Sequence, residues 1–221
     1  MPARRRERRE RRNRRGARRR SLGQNFLVPE LAAELVAGLE LRPGELVVEI
    51  GAGAGAWTEA LVRGGAEVVA VELDPEWAAR LRARFGPGGP TRIRVVEADF
   101  LALPLPARPF RVVGSVPFGA TTQILRRLFD DPVSALVRAD LVVQWEVARK
   151  RAESPPQTLL STAWAPWWEF ALGPRLPAGS FRPVPSVDAA LLRATRRAPA
   201  LLPPALARDY AAFVRARWPF R

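Results

Sequence analysis

The sequence predicts an α/β fold: a doubly wound, mostly parallel sheet with one antiparallel strand near its edge, followed by a short C-terminal helical segment. Three observations predict it. From Glu45 onward, short apolar runs alternate with helix-patterned segments, the signature of a parallel sheet covered on both faces. Alternate glycines, Gly51, Gly53 and Gly55, stand directly between the first strand run and the next helix. The last two strand runs, Trp168–Leu176 and Val187–Ala194, are separated by about ten residues rich in proline. That is too short for a parallel crossover, so these two must be antiparallel neighbours.

The elements follow in order. Leu31 to Leu41 reads as a helix with Leu31, Leu35 and Leu39 on one face. Glu45–Ile50 is a strand, followed by the glycines and a helix to about Val62. Glu67–Leu73 is a second strand, and Asp74–Phe85 a helix with Asp74 as cap and Pro75 at its first position. Ile93–Asp99 and Phe110–Val116 are the third and fourth strands. Thr121–Phe129 is a helix and Ser134–Trp145 a fifth strand, and a last helix runs from Pro203 towards Trp218. A Rossmann-like sheet with one reversed strand near its edge is the methyltransferase variant of the doubly wound fold, not the dehydrogenase variant. The expected division is an Arg-rich, disordered arm at 1–20, one catalytic domain at 21–197, and a reduced or truncated C-terminal segment at 198–221.

Composition bounds the function. The chain has 221 residues, 48% of them hydrophobic, enough for one good core. Its net charge is +14, of which +10 lies in residues 1–20, where twelve Arg face two Glu. A solvated tail would explain such a run, but Arg pairs bidentately with phosphate, so a nucleic-acid contact arm is the reading adopted. Lys150 is the sole lysine, a bias that records base composition rather than a binding strategy. There is no His and no Cys, which excludes Ser-His-Asp and Cys-His catalysis, disulfides, iron–sulfur ligation and most zinc sites. No metal is expected. Neither a membrane span nor a signal-type apolar segment is found, and a cytoplasmic monomer is the expectation.

The candidate site lies at the carboxyl ends of the strands, where open α/β sheets bind ligands. The loop Glu49-Ile50-Gly51-Ala52-Gly53-Ala54-Gly55-Ala56 opens a helix, as a nucleotide loop must. Gly51, Gly53 and Ala56 also satisfy the dinucleotide pattern, so a nicotinamide cofactor stays open on the glycines alone. Glu72 ends the second strand and can accept both ribose hydroxyl protons. Helix capping is its bland alternative, a task Asp74 can take instead. Asp99 can accept from an adenine amino group, with Phe100 covering the ring, although a lone Asp at a strand end is usually a turn residue. Ser115-Val116-Pro117-Phe118 closes the fourth strand. Standing alone, Pro-Phe after a strand would mark a plain turn with one buried aromatic.

These motifs resemble one family. Ser115-Val116-Pro117-Phe118 is similar to the motif of adenine-N6 methyltransferases. Gln24-Asn25-Phe26-Leu27 resembles the entry motif shared by erythromycin-resistance (Erm) methyltransferases and small-subunit adenine dimethylases. Gln144 to Lys150, and Phe181 to Asp188, resemble Erm proteins of actinobacteria in particular. The resemblance covers roughly residues 20–197. It implies that Asn25, Leu27, Gly51, Gly53, Gly55, Glu72, Asp99, Phe100 and Ser115 contact S-adenosylmethionine, and that Ser115, Val116, Pro117 and Phe118 form the catalytic motif, with Phe118 on the target adenine. It also implies 23S rRNA as substrate and macrolide resistance as outcome. Position 115 departs from the family, which usually has Asn there. A small-subunit rRNA dimethylase and a catalytically impaired RNA-binding protein are the alternatives.

Overall fold

The computed structural model describes residues 25–86 and 92–218; the Arg-rich arm and Gln24 lie outside them. The described chain opens with a two-residue strand, β1 (Phe26–Leu27), and helix α1 (Pro29–Ala37). It then alternates β2 (Leu46–Ile50), α2 (Ala56–Arg63), β3 (Glu67–Glu72), α3 (Pro75–Phe85), β4 (Ile93–Glu97), β5 (Phe110–Ser115), α4 (Thr121–Phe129) and β6 (Leu136–Gln144). Two short helices follow, α5 (Trp145–Arg151) and α6 (Leu159–Trp164). The last elements are β7 (Trp168–Leu176), β8 (Phe181–Arg182), β9 (Ala189–Arg196) and α7 (Ala207–Arg217).

Seven strands form one sheet in the order β4-β3-β2-β5-β6-β9-β7. All neighbours are parallel except β9, which runs antiparallel to both β6 and β7. The reversed strand therefore sits one place in from the edge, as the short proline-rich connection requires. A two-residue ladder, β1 on β8, pins the start of the described chain to the loop that precedes β9.

Several boundaries differ from the sequence reading. Helix α1 stops at Ala37, not Leu41, because the Gly38 amide closes on the Glu34 and Leu35 carbonyls and Glu40 turns to a φ of 54°. The fifth strand ends at Gln144. The Trp145 amide leaves the ladder for the Asp188 carbonyl, and α5 follows, braced by Arg149 to Glu146 and Glu153. Strand β9 starts at Ala189, because Asp188 is held by the Ala178 amide and by Arg175. The helix expected from Pro203 begins with a 3-10 turn, Pro204–Leu206, and is regular only from Ala207.

Alternation along the strands divides the core between the two faces of the sheet. On one face α1, α2 and α3 bury Leu35, Leu39, Leu61, Leu81 and Phe85 against Val47, Val68, Val113 and Leu191. On the other, Leu125, Leu128, Phe129, Trp164 and Trp168 pack on Val48, Val112, Leu141 and Leu192. Phe129 stands edge-on to Trp164, Trp168 and Phe170 at centroid distances of 4.9–5.4 Å. Asp140, fully buried in β6, accepts from Arg111, Arg138 and Arg193. Arg111 continues to Glu45 and to the Leu39 carbonyl, and the network ties three strands to the end of α1. No helix among the described residues is long and apolar enough to cross a membrane.

Candidate active site

From β2 the chain builds outward through β3 and β4 on one side, then returns to lay β5 and β6 on the other. The loops after β2 and β5 therefore leave in opposite directions and open a crevice at the carboxyl ends, the switch point where such sheets take ligands. The two strands approach closely there. Gly114 has a φ of 147°, and a Cβ on it would lie 2.4 Å from the Ile50 carbonyl oxygen.

One cleft, about 1150 Å³ counted to its open mouth, occupies this crevice. Asn25, Leu27, Gly51, Glu72, Asp99, Phe100 and the whole segment Ser115-Val116-Pro117-Phe118 line it. Gly53 and Gly55 do not. Gly53 lies beneath the Phe26 ring, so close that a Cβ would sit 2.4 Å from Phe26 Cε1, and its φ of 51° is left-handed. Phe26 in turn packs edge-on against Trp77, 5.0 Å between centroids. Gly55 packs on Leu81 and Phe85 of α3. These two glycines shape the loop and leave its surface to their neighbours. Wall residues that the sequence reading did not assign include Phe26, Trp57, Leu101 and Phe181. Phe26 and Phe181 stood inside motifs already noted, and the β1–β8 ladder is what brings them together.

Four of the loop's amides serve internal acceptors. Gly51 and Ala52 donate to the Val71 carbonyl at 3.0 and 3.1 Å, Gly55 to Ala52 at 2.8 Å, and Gly53 to Glu72 Oε2 at 2.7 Å. At the start of α2 sits a carboxyl group. Glu49, completely buried, accepts from the Thr58 hydroxyl at 2.6 Å and from the Thr58 amide. Burial pushes its carboxyl up to about 8, against those hydrogen bonds, so it is largely protonated at neutral pH. A dinucleotide loop offers free amides and a helix N-terminus to a pyrophosphate. Here the Gly51, Ala52, Gly53 and Gly55 amides and, in α2, the Thr58 amide serve internal acceptors, while Ala54, Ala56 and Trp57 line the cleft.

Glu72 is buried at the end of β3. Its oxygens take the Gly53 amide and the Asp74 amide, the latter at 2.8 Å. The Leu73 amide also donates to it, and a carboxylate has about four lone-pair sites, so one remains for a ribose hydroxyl. Burial raises its pKa, opposed by those amides. Asp74 caps α3 by accepting from the Glu76 amide at 2.9 Å, so the two acids divide the roles as the sequence suggested. Asp99 accepts from the Leu101 amide through Oδ1 at 2.9 Å. It is a turn residue with its second oxygen exposed. Phe100 is buried beside it, with the Arg127 guanidinium 6.0 Å from its ring centroid.

The Ser115 hydroxyl is buried and has no hydrogen-bond partner among the described residues. A buried, unpaired hydroxyl costs stability unless something else satisfies it. The hydroxyl belongs to a residue of the cleft wall, as do the carboxylates of Glu72 and Asp99. No cluster of potential metal ligands occurs among the described residues.

Comparison with known proteins bears directly on this site. A family model described as ribosomal RNA adenine dimethylase matches residues 16–218. A mycinamicin-resistance protein of Micromonospora griseorubida is 44% identical over 89% of this chain and 62% of its own length. An rRNA adenine N-6-methyltransferase of Corynebacterium diphtheriae is 39% identical over 80% of this chain and 68% of its own. Among solved structures, the 23S rRNA methyltransferase ErmE superposes with a TM-score of 0.77 at 35% identity, covering 86% of this chain and 78% of that one. The chain thus spans about three fifths of the first of these relatives. The fold, the cleft and these matches agree, and the chain belongs to the ribosomal RNA adenine dimethylase family.

Proposed function

We propose that the protein transfers a methyl group from S-adenosylmethionine to the N6 amine of an adenine in 23S rRNA, and that this modification confers macrolide-type resistance. One observation carries the reading: Glu72, Asp99, Phe100 and Ser115 to Phe118 meet in a single cleft at the switch point. The names of the Micromonospora relative and of the solved neighbour support the choice of substrate.

When bound, S-adenosylmethionine supplies an electrophilic methyl on a sulfonium. Glu72 would accept a ribose hydroxyl, the free oxygen of Asp99 the adenine amino group, and Phe100 would cover the ring. The target amine is a poor nucleophile because its lone pair is conjugated into the base, and Ser115 to Phe118 contain no group able to act as a strong base. Orientation is then the main contribution. Acceptors at Ser115 and Val116 would hold the amine with its lone pair towards the methyl, and such positioning supplies on the order of 7–11 kcal/mol. Phe118 would stack on the extruded base, worth about 1–3 kcal/mol. The amine proton leaves to water. The Arg-rich arm, which ends a few residues before the cleft residue Asn25, would hold RNA phosphates, and the enzyme would act as a monomer.

The test is transfer of labelled methyl from S-adenosylmethionine to purified large- and small-subunit RNA separately, with and without residues 1–20. Label in large-subunit RNA, as N6-methylated adenine, is expected. Loss of the arm should lower RNA affinity and flatten its salt dependence, because fewer counterions are released. Label confined to small-subunit RNA would replace the reading with the dimethylase alternative, and no transfer to either RNA would overturn it.

A further inference from the structure

The segment Ser115 to Ala120 holds its carbonyls in an unequal way. The Pro117 carbonyl accepts the Ala120 amide at 2.9 Å and the Thr121 hydroxyl at 3.3 Å. The Phe118 carbonyl accepts the same hydroxyl at 3.2 Å. The Val116 amide donates to the Val142 carbonyl at 3.0 Å, yet no hydrogen bond among the described residues reaches the Val116 carbonyl. Thr121 is buried at the first position of α4, one residue beyond the 3-10 turn Phe118–Ala120, and Ala120, the helix N-cap, contributes no side-chain cap.

We infer that Thr121 is a positioning residue for methyl transfer: its hydroxyl ties the Pro117 and Phe118 carbonyls to the start of α4, leaving the Val116 carbonyl as the acceptor that orients the target amine. The inference rests on the methyltransferase reading of the same cleft. The geometry supports it in two ways. One hydroxyl proton shared between adjacent carbonyls fixes the peptide planes on both sides of Phe118, the residue assigned to the base. Pro117 has no amide hydrogen to donate, so beside the hydroxyl only the Ala120 amide, on the Pro117 carbonyl, braces that turn. Without the hydroxyl, the turn keeps only the Ala120 amide, and the peptide planes can rotate. A target amine displaced by about 1 Å loses on the order of a hundredfold in rate, while a cofactor held by Glu72, Asp99 and Phe100 is unaffected.

The experiment compares Thr121→Val, which preserves shape and removes the hydroxyl, with Thr121→Ser, which restores it. Labelled methyl transfer to large-subunit RNA gives kcat, and calorimetry gives affinity for S-adenosylmethionine. Thr121→Val is expected to lose tenfold or more in kcat with cofactor affinity within twofold of the parent, and Thr121→Ser to recover most of the rate. Should Thr121→Val not fold, Thr121→Ala, which adds no bulk, is measured in its place against the same criteria. Retention of kcat without the hydroxyl would overturn the inference, as would equal loss in the serine variant or a parallel fall in cofactor affinity. A wild-type protein that transfers no methyl to RNA would remove the reading and the inference together, an outcome distinct from wild-type turnover that the variants match.

Discussion

The two ends of the central sheet carry polar groups under opposite rules. Towards the amino ends, Asp140 is completely buried and its carboxylate is met by three guanidinium groups, while Arg111 also reaches Glu45 and a carbonyl. At the carboxyl ends, neither the Ser115 hydroxyl nor the Val116 carbonyl has a partner among the described residues, and Glu72, which accepts three amides, keeps about one lone-pair site. A buried charge is tolerable only when paired and hydrogen-bonded, so the first region reads as an internal ion-pair network, in which the buried Arg111 Nε is left without a partner among the described residues. The second leaves its polar groups unmatched around an apolar cleft, which is the condition of a site awaiting a ligand.

The comparison can be broken most forcefully at Asp140. Asp140→Ala strands three guanidinium groups around a buried hole and should cost about 3–5 kcal/mol, read as a large fall in melting temperature. A small change would mean that the network is dispensable. Glu49 gives the next effect, and it depends on pH. Its folded pKa, about 8, lies above the ordinary 4.5, so the folded state keeps a proton that the unfolded chain releases. The favourable contribution is complete below pH about 4.5, declines as pH rises towards 8, and is flat above. At neutral pH the loss amounts to about 3 kcal/mol. Glu49→Gln, which cannot ionise, should flatten the dependence of melting temperature on pH across that window.

Glu72→Ala should weaken S-adenosylmethionine binding by about 1.5–3 kcal/mol through loss of a charged acceptor, measured by calorimetry. Unchanged affinity would remove the ribose from that carboxylate. The smallest effect sharpens the contrast. Ser115→Ala should change stability by less than about 0.5 kcal/mol, because its hydroxyl has no internal partner to lose, whereas Thr58→Val, which deprives Glu49 of a 2.6 Å hydrogen bond, should cost about 1–3 kcal/mol. Equal losses in thermal melts of the two variants would erase the distinction between the two kinds of polar group.

Much of this was legible in sequence because it is periodic or chemically marked. The alternation of strands and helices, the reversed β9 and the Asp74 cap all follow from local rules that the packing does not override. The cleft residues Glu72, Asp99 and Ser115 to Phe118 each stand at a strand end, where the fold brings them together whatever the rest of the sequence does. What escaped depends on contacts distant in sequence. Phe181 and Phe26 meet only through the β1–β8 ladder. Gly53 looks like a ligand residue until the Phe26 ring is seen above it. Thr121 carries no motif, and its role is visible only in the two carbonyls it bonds. The sequence reading ends the fifth strand at Trp145 and assigns no element to the rest of α5, whose seven residues are too few to show helical periodicity.

The cleft at the carboxyl edge is expected to take S-adenosylmethionine in preference to NAD. Calorimetric titration of the wild-type protein with S-adenosylmethionine and, separately, with NAD tests it most directly. The account requires saturable binding of S-adenosylmethionine, weakened in Glu72→Ala, and no measurable heat from NAD at the same concentrations. Tighter binding of NAD, or S-adenosylmethionine binding that ignores Glu72, would contradict it.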